Sequence, residues 1–251
     1  MVAASTTLLF EAIAPEATGL PLYRVVKGSL LQAIETGRCA PGSTLPSESE
    51  IAAAMRVSIG TLRRAVDELA AEHVLVRKQG RGTFVATHTL DKFLAHFFHV
   101  ERSDGLRELP HVELVSFERG PAGPEPAEAL ELRIGDPVFR IDNRLSLQNT
   151  AVVYDRTTLP AAVFKGLTEK RFQGRPGSLY QLYQSEFGIT VLRATERASA
   201  VAADRDAARV LGLRPGQPVL QLRRTAYTFA DRPVEYRVSI IDTSKHDYVP
   251  H

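Results

Sequence analysis

Two groups of cations, each set among small or hydroxylic residues, are the part of this sequence that could do chemistry: Ser58-Ile59-Gly60-Thr61-Leu62-Arg63-Arg64 and Arg77-Lys78-Gln79-Gly80-Arg81-Gly82. A guanidinium fork reaches a phosphate or the edge of a guanine, and small side chains let a helix approach the floor of a major groove. Glycine gives a turn the same freedom of approach, and a narrow minor groove attracts cations through its enhanced negative potential. The chemistry on offer is recognition of double-stranded DNA by contact.

Holding these groups takes two short helices and a hairpin. Ser47, with Pro46 before it and Glu50 three residues on, predicts a helix start at which hydroxyl and carboxylate satisfy the first amides reciprocally. Ile51, Ala52 and Met55 then give one packing face. Ser58 predicts a second cap, and Leu62, Ala65, Val66 and Leu69 a second apolar stripe, with Thr61, Arg63 and Arg64 facing elsewhere. Val74 to Arg77 and Thr83 to Val85 read as two strands around the basic turn, the wing of a winged helix. Upstream, Pro21 to Thr36 predicts a helix with a broad apolar face, stopped by Gly37, and Arg38 to Thr44 a turn closing a three-helix core.

The run LPSESEIAAAMRVSIGTLRRAVDEL followed by QGRGTFVA resembles the winged helix-turn-helix of the GntR family of bacterial transcription regulators. The remainder of the chain resembles the UTRA effector-binding domain of its HutC subfamily. The resemblance implies a DNA-binding set of Ser47, Ser49, Ser58, Ile59, Gly60, Thr61, Arg63, Arg64, Lys78, Gln79, Gly80 and Arg81. Ser49 and Ile59 stand where the family usually carries arginine, whereas Arg63 and Gly80 fall on matching contact positions. An isoleucine cannot grip a guanine but can touch a thymine methyl, so a shifted base preference is expected. The resemblance also implies a homodimer on a palindromic operator, a small-molecule effector and no cofactor.

Composition sets outer limits. The chain has 251 residues, 44% hydrophobic and 24% charged, which suits two globular domains. No apolar run approaches the roughly 20 residues of a membrane span. The first residues lack a basic n-region, so a floppy N-terminal arm over 1–19 is expected rather than a secretory signal. Cys39 is the one cysteine, which rules out an intrachain disulfide, and a bacterial cytoplasmic location is expected. The net charge of +2 is uninformative, but between Leu20 and His88 nine cations face six carboxylates, so the excess sits in the head.

The expected division is arm 1–19, winged head 20–87, linker 88–110 and effector domain 111–251, the last an α+β domain whose fold, by the resemblance, is like chorismate lyase. His88, His96 and His99 beside Phe93, Leu94, Phe97 and Phe98 invite a metal reading, but with no cysteine near and so many aromatics a packed hinge is expected and no metal. Val112 to Glu118 predicts a strand, Gly120 to Pro126 a loop, and Ala127 to Leu132 a short helix. Val138 to Leu147 and Ala151 to Leu159 predict a hairpin, Ser178 to Phe187 a helix, Thr190 to Ala200 a strand, and Pro233 to Asp242 a final strand. Glu125 to Leu147 is echoed weakly by Asp204 to Thr228, and two such half-units make a natural cleft.

For the effector, the resemblance implies Arg144, Asp155, Ser178, Tyr180 and Glu235. Sugar-phosphate-binding relatives carry a second arginine where this chain has Ser146, and the family's usual glutamate is Asp155 here. Two other readings compete: a DNA-binding protein with no ligand, and an enzyme using the lyase-like domain. Against the enzyme, the sequence has no nucleophile elbow, phosphate-cradling glycine loop or metal quartet, and fold does not carry function.

Overall fold

The computed structural model describes residues 9–13, 19–72, 74–87, 98–106, 108–175 and 177–249. The chain divides into two compact units, residues 1–87 with 188–192 and residues 88–187 with 193–251. Among the described residues no helix is long and apolar enough to cross a membrane.

The first unit is built from three helices, α1 (Leu22–Glu35), α2 (Glu48–Met55) and α3 (Ile59–Ala71), and a hairpin, β1 (Leu75–Lys78) and β2 (Gly82–Val85). Val26, Leu30, Ile51, Met55, Leu62, Val66 and Leu69 are all buried, each supplied by an apolar stripe at helical spacing. The capping box forms as the sequence implies: Ser47 accepts from the Glu50 amide while the Ser47 amide donates to Glu50 Oε2 at 2.8 Å. Arg56 closes α2 in the left-handed conformation (φ 55°) and turns the chain sharply toward α3. The hairpin is backed by residues 43–45, through Leu45 N–H to Thr83 O at 2.8 Å and Val85 N–H to Ser43 O at 3.0 Å. Cys39 is buried and unbridged, and burial pushes its thiol pKa up.

The second unit is an antiparallel sheet of β4 (His111–Pro121), β5 (Pro137–Leu147), β6 (Thr150–Pro160), β7 (Arg193–Ala202), β8 (Pro218–Tyr227) and β9 (Pro233–Ile241), in the order β4-β5-β6-β9-β8-β7. Helices α4 (Pro124–Ala129), α5 (Glu169–Gln173), α6 (Leu179–Phe187) and α7 (Arg205–Leu211) accompany it. The sequence echo is a structural repeat. Ala122 N–H to Asp136 O, Gly135 N–H to Ala122 O and Leu132 N–H to Ala127 O recur as Ala203 to Gln217, Gly216 to Ala203 and Leu213 to Ala208, at matching lengths of 2.8–2.9 Å. Each half runs strand, short helix, strand, strand, and the two halves meet where β6 pairs with β9.

Four expectations differ from the fold. Within the arm expected to be floppy, Phe10 is buried, Ile13 N–H donates to Met55 O at 3.0 Å and Arg38 donates to Leu9 O at 3.0 Å. Helix α4 starts at Pro124, inside the stretch expected as a loop, because proline suits the first helical position, where no amide bond is lost. Strand β7 begins at Arg193 rather than Thr190: its ladder partner β8 ends at Tyr227, opposite Arg193, and a 3-10 turn (Phe229–Asp231) follows. Within the expected linker, β3 (Val100–Arg102) pairs with β10 (His246–Tyr248), while residues 88–97, with His88 and His96, lie outside the described residues.

Side chains directly opposite across a ladder share a face. Asn143 lies opposite Asp155, and Asp155 opposite Ser239. Thr157 lies opposite Arg237, Arg237 opposite Arg224, and Arg224 opposite Glu196. One face of the sheet thus carries a row of polar groups across its middle. The other buries Tyr154 and Ile240 against α7.

Candidate functional site

In the head, α3 presents its polar side outward from the core. Ile59 is 47% exposed, and Ser58, Gly60, Arg63 and Arg64 are exposed beside it, with Thr61 half-buried. Ser58 Oγ accepts from the Thr61 amide at 3.1 Å, so this hydroxyl caps the helix, as that of Ser47 caps α2. Ser49 is exposed, with its Oγ 3.1 Å from Ser47 Oγ. Arg63 donates from Nε to Glu48 Oε2 at 3.0 Å, and Arg77, at the root of the wing, donates to Glu48 Oε1 at 3.0 Å and pairs with Asp67 at 2.6 Å. One carboxylate therefore ties α3 to the wing. Arg64 lies instead over the Tyr23 ring, 3.9 Å from its centroid. The wing tip carries exposed Lys78, Gln79, Gly80 and Arg81, and its turn needs the positive φ of Gly80 (69°) and Gly82 (99°).

In the second unit a cavity of about 670 Å³ opens on the polar face, lined by residues 109–114, by Asn143, Leu145, Asp155 and Arg237 from the sheet, and by Phe172, Arg175, Ser178 and their neighbours. Its floor is a buried network. Arg237 pairs with Asp155 at 3.1 Å and Glu235 at 2.9 Å, and the hydroxyls of Tyr180 and Tyr183 donate to Glu235 at 3.2 and 2.7 Å. Ser239 donates to Asp155 at 2.5 Å. Burial by itself would lower the Arg237 pKa, but Glu235 and Asp155 outweigh it and hold the guanidinium well above its ordinary value. Burial, reinforced by Glu235, pushes both tyrosine hydroxyls up, so they remain donors.

Beyond Arg237 the row continues into a much smaller space of about 30 Å³, closed by Phe98, His99, Val100 and Tyr248. There Glu196 lies 3.5 Å from Arg224 and 3.8 Å from His99, and accepts from the Tyr248 hydroxyl. Burial raises a carboxyl, but the bonds from His99 and Tyr248, with Arg224 nearby, dominate and lower Glu196 to about 2.

The five residues expected at the effector site separate. Asp155 and Ser178 line the cavity, and Tyr180 and Glu235 are buried in the network under it. Arg144 is not among the lining residues: strand alternation sends it from the sheet face opposite to Asn143 and Leu145, and it pairs with Glu113. The sequence reading passed over Asn143, Arg175 and Arg237 in the cavity and Glu48 in the head. Glu235, Arg237 and Ser239 at alternate positions were the available signal for Arg237. The cavity has no metal set: among the described residues no three His, Cys, Asp or Glu are grouped to hold an ion.

A winged helix-turn-helix and a separate sheet domain with a polar cavity define a two-domain regulator. Residues 22–85 match the bacterial regulatory proteins of the gntR family and residues 106–247 the UTRA domain, and the chain belongs to the GntR family, in its UTRA-containing branch. It is 28% identical over 218 residues to the "Probable fructoselysine utilization operon transcriptional repressor" of Escherichia coli, covering 85% of this chain and 87% of that one. It is 28% identical to the histidine utilization repressor of Pseudomonas putida, covering 90% of each chain. The ligand-binding domain of a GntR-family regulator from Bordetella bronchiseptica superimposes with a TM-score of 0.58 at 35% identity, covering 62% of this chain and 97% of that domain.

Proposed function

We propose that the chain is a homodimeric repressor that acts in the bacterial cytoplasm, with two heads on one palindromic operator and a small-molecule effector in the cavity. In this reading 20–87 is the DNA-reading head, 88–110 the connection and 111–251 the effector domain. The carrying observation is that one chain joins an exposed, capped, cation-bearing helix and wing to a separate domain with an open polar cavity. A catalytic use of the cavity is disfavoured because Arg237 engages both carboxylates, Asp155 and Glu235. The names of the two relatives point to chemically unlike compounds at equal identity to this chain, so neither name supplies the effector.

Each head alone makes few base contacts, and tight specific binding follows from linking two. The effector changes operator affinity only by its differential affinity for the two arrangements of the dimer. The testing experiment is selection of random duplexes by the purified protein, then affinity for the winner against a scrambled duplex over a salt series. A palindromic winner with a steep salt dependence is expected; non-palindromic or absent enrichment, with and without metabolite pools, overturns the reading. Arg63→Ala is expected to weaken the winning duplex by roughly 1–3 kcal/mol. Its melting temperature should stay near wild type, since the Arg63–Glu48 pair is a solvent-exposed one.

A further inference from the structure

The opposite face of the same sheet has an opening of its own. A cavity of about 360 Å³, at the small end of ligand cavities, lies between strands β7 to β9 and the carboxylates Glu125, Glu128 and Glu131 on and just after α4. Across the β7–β8 ladder, on the cavity wall, Arg197 lies directly opposite Arg223 and Thr195 opposite Thr225. Like charges so placed are destabilising. Glu125 answers one of them: it is 3.5 Å from Arg223 and accepts from the Tyr236 hydroxyl at 2.6 Å. Arg193, two residues earlier on the same face of β7, is also answered, by Asp231 at 2.9 Å. Among the described residues no carboxylate pairs with Arg197 and no cation with Glu128 or Glu131. Thr225 is 9% exposed, and its hydroxyl has no hydrogen-bond partner among the described residues. In the other half of the repeat the equivalent space is filled, since α7 packs Ala207, Val210 and Leu211 against Tyr154 and Ile240. We infer that this cavity is a second ligand site, for a small zwitterion with a carboxylate and an ammonium, a free amino acid. Arg197 and Arg223 hold the carboxylate, Thr225 donates to it, and Glu128 and Glu131 receive the ammonium. A phosphate dianion would meet three carboxylates, and a simple amine would leave Arg197 unanswered, so a ligand of both signs fits where either sign alone does not. The site is independent of the effector reading above, and its occupant bridges the helix of one half of the repeat to the strands of the other.

A titration of the intact chain, followed by NMR of the arginine Nε–H groups, tests this, with Arg197→Lys and Arg223→Lys assigning the two signals. Pools of the common amino acids are added first, then the members of any active pool singly. Acetate and ethylamine serve as single-charge probes at the same ionic strength. At least one amino acid is expected to shift Arg197 and Arg223 saturably while Arg144 and Arg175, outside this lining, stay still. Acetate and ethylamine bind roughly tenfold more weakly, since each lacks the charge-assisted bonds at one end. Changing Glu128→Gln and Glu131→Gln together weakens binding by a similar factor, and Thr225→Val, shown by its melting curve to be folded, weakens it severalfold. Arg197→Gln abolishes binding and, by removing one of two facing like charges, raises the melting temperature of the ligand-free chain, whereas loss of a merely structural arginine would lower it. No saturable shift from any pool, acetate binding as tightly as the amino acid, or movement of Arg175 or Arg144 in place of Arg197 overturns the inference. The duplex selection is read without any of these probes, so the regulator reading stands or falls separately.

Discussion

The polar face of the sheet carries two depressions on either side of Arg237, one of about 670 Å³ and one of about 30 Å³. Both stand on the same repeated scaffold, since each half of the domain makes the same turn bonds between its short helix and its following strand. The filling differs. On one side Phe98, His99, Val100 and Tyr248 lie over Leu222, Arg224 and Glu196; on the other, α6 and the loop before it stand back and leave Arg175 and Ser178 at an open wall. Duplication therefore supplies two frames for a site, and the segment entering the domain and the chain's last strand decide which stays open.

The dividing wall offers the largest test of this comparison. Glu235→Leu leaves Arg237 buried with one carboxylate, and loss of a partner from a buried pair costs roughly 3–5 kcal/mol. Urea unfolding of the second unit is expected to show that loss; a change under about 1 kcal/mol would mean the wall does not depend on the pair. The closed side responds less strongly. Tyr248→Phe removes the hydroxyl that donates to the Glu196 carboxylate, worth roughly 1.5–3 kcal/mol for a charged acceptor and nearer the lower figure for this half-buried one.

The same side has a pH signature. The Glu196 carboxyl sits at about 2 in the fold against an ordinary 4.5, so its stabilising contribution is complete above about 4.5 and is lost as pH falls to about 2. Carboxyl titration by NMR should find Glu196 still ionised at pH 3.5 in wild type and shifted upward in Tyr248→Phe, with acid unfolding moving the same way. An unshifted Glu196 would separate Tyr248 from the closure. The smallest effect tests the scaffold itself. Gln148 and Asn149 (φ 49° and 60°) in one half correspond to Ala230 and Asp231 (φ 54° each) in the other, all non-glycine residues in the left-handed region. Gln148→Gly and Ala230→Gly should each stabilise by about 1 kcal/mol or less, read as small, similar rises in melting temperature. Opposite signs would say the halves are not equivalent at their hinges.

The head was legible in the sequence almost to the atom, because caps and apolar stripes are local signals: Ser47 with Glu50, and Ser58 before Leu62, Ala65 and Leu69, each act within one or two helical turns. Its inter-element bond was not, since nothing near Glu48 announces Arg77. In the sheet domain the helix-turn-strand echo was legible, and α4 was displaced only because its prolines read as loop. The cavity was the least legible part. Residue parity decides a strand's face, and Arg144 lies one position off the cavity row that contains Asn143 and Leu145. Arg237 sits in a run, PVEYRVSII, that reads as an ordinary buried strand, and Arg175 lies in a loop without periodicity.

The short ladder of β3 and β10 has a mechanical meaning. His99 O accepts from Val249 N–H at 2.8 Å at one end, and Ser103 N–H donates to Lys245 O at 3.2 Å at the other, so the chain is fastened to its own last strand immediately after it enters the domain. A pull on the chain ahead of Phe98, directed away from the sheet, meets the His99–Val249 end first and loads the bonds one after another, as in opening a zip. The fastening is then the weak link of the domain under tension, yielding before the sheet behind it, and trimming the tail up to Tyr248 would lower the force at which it lets go.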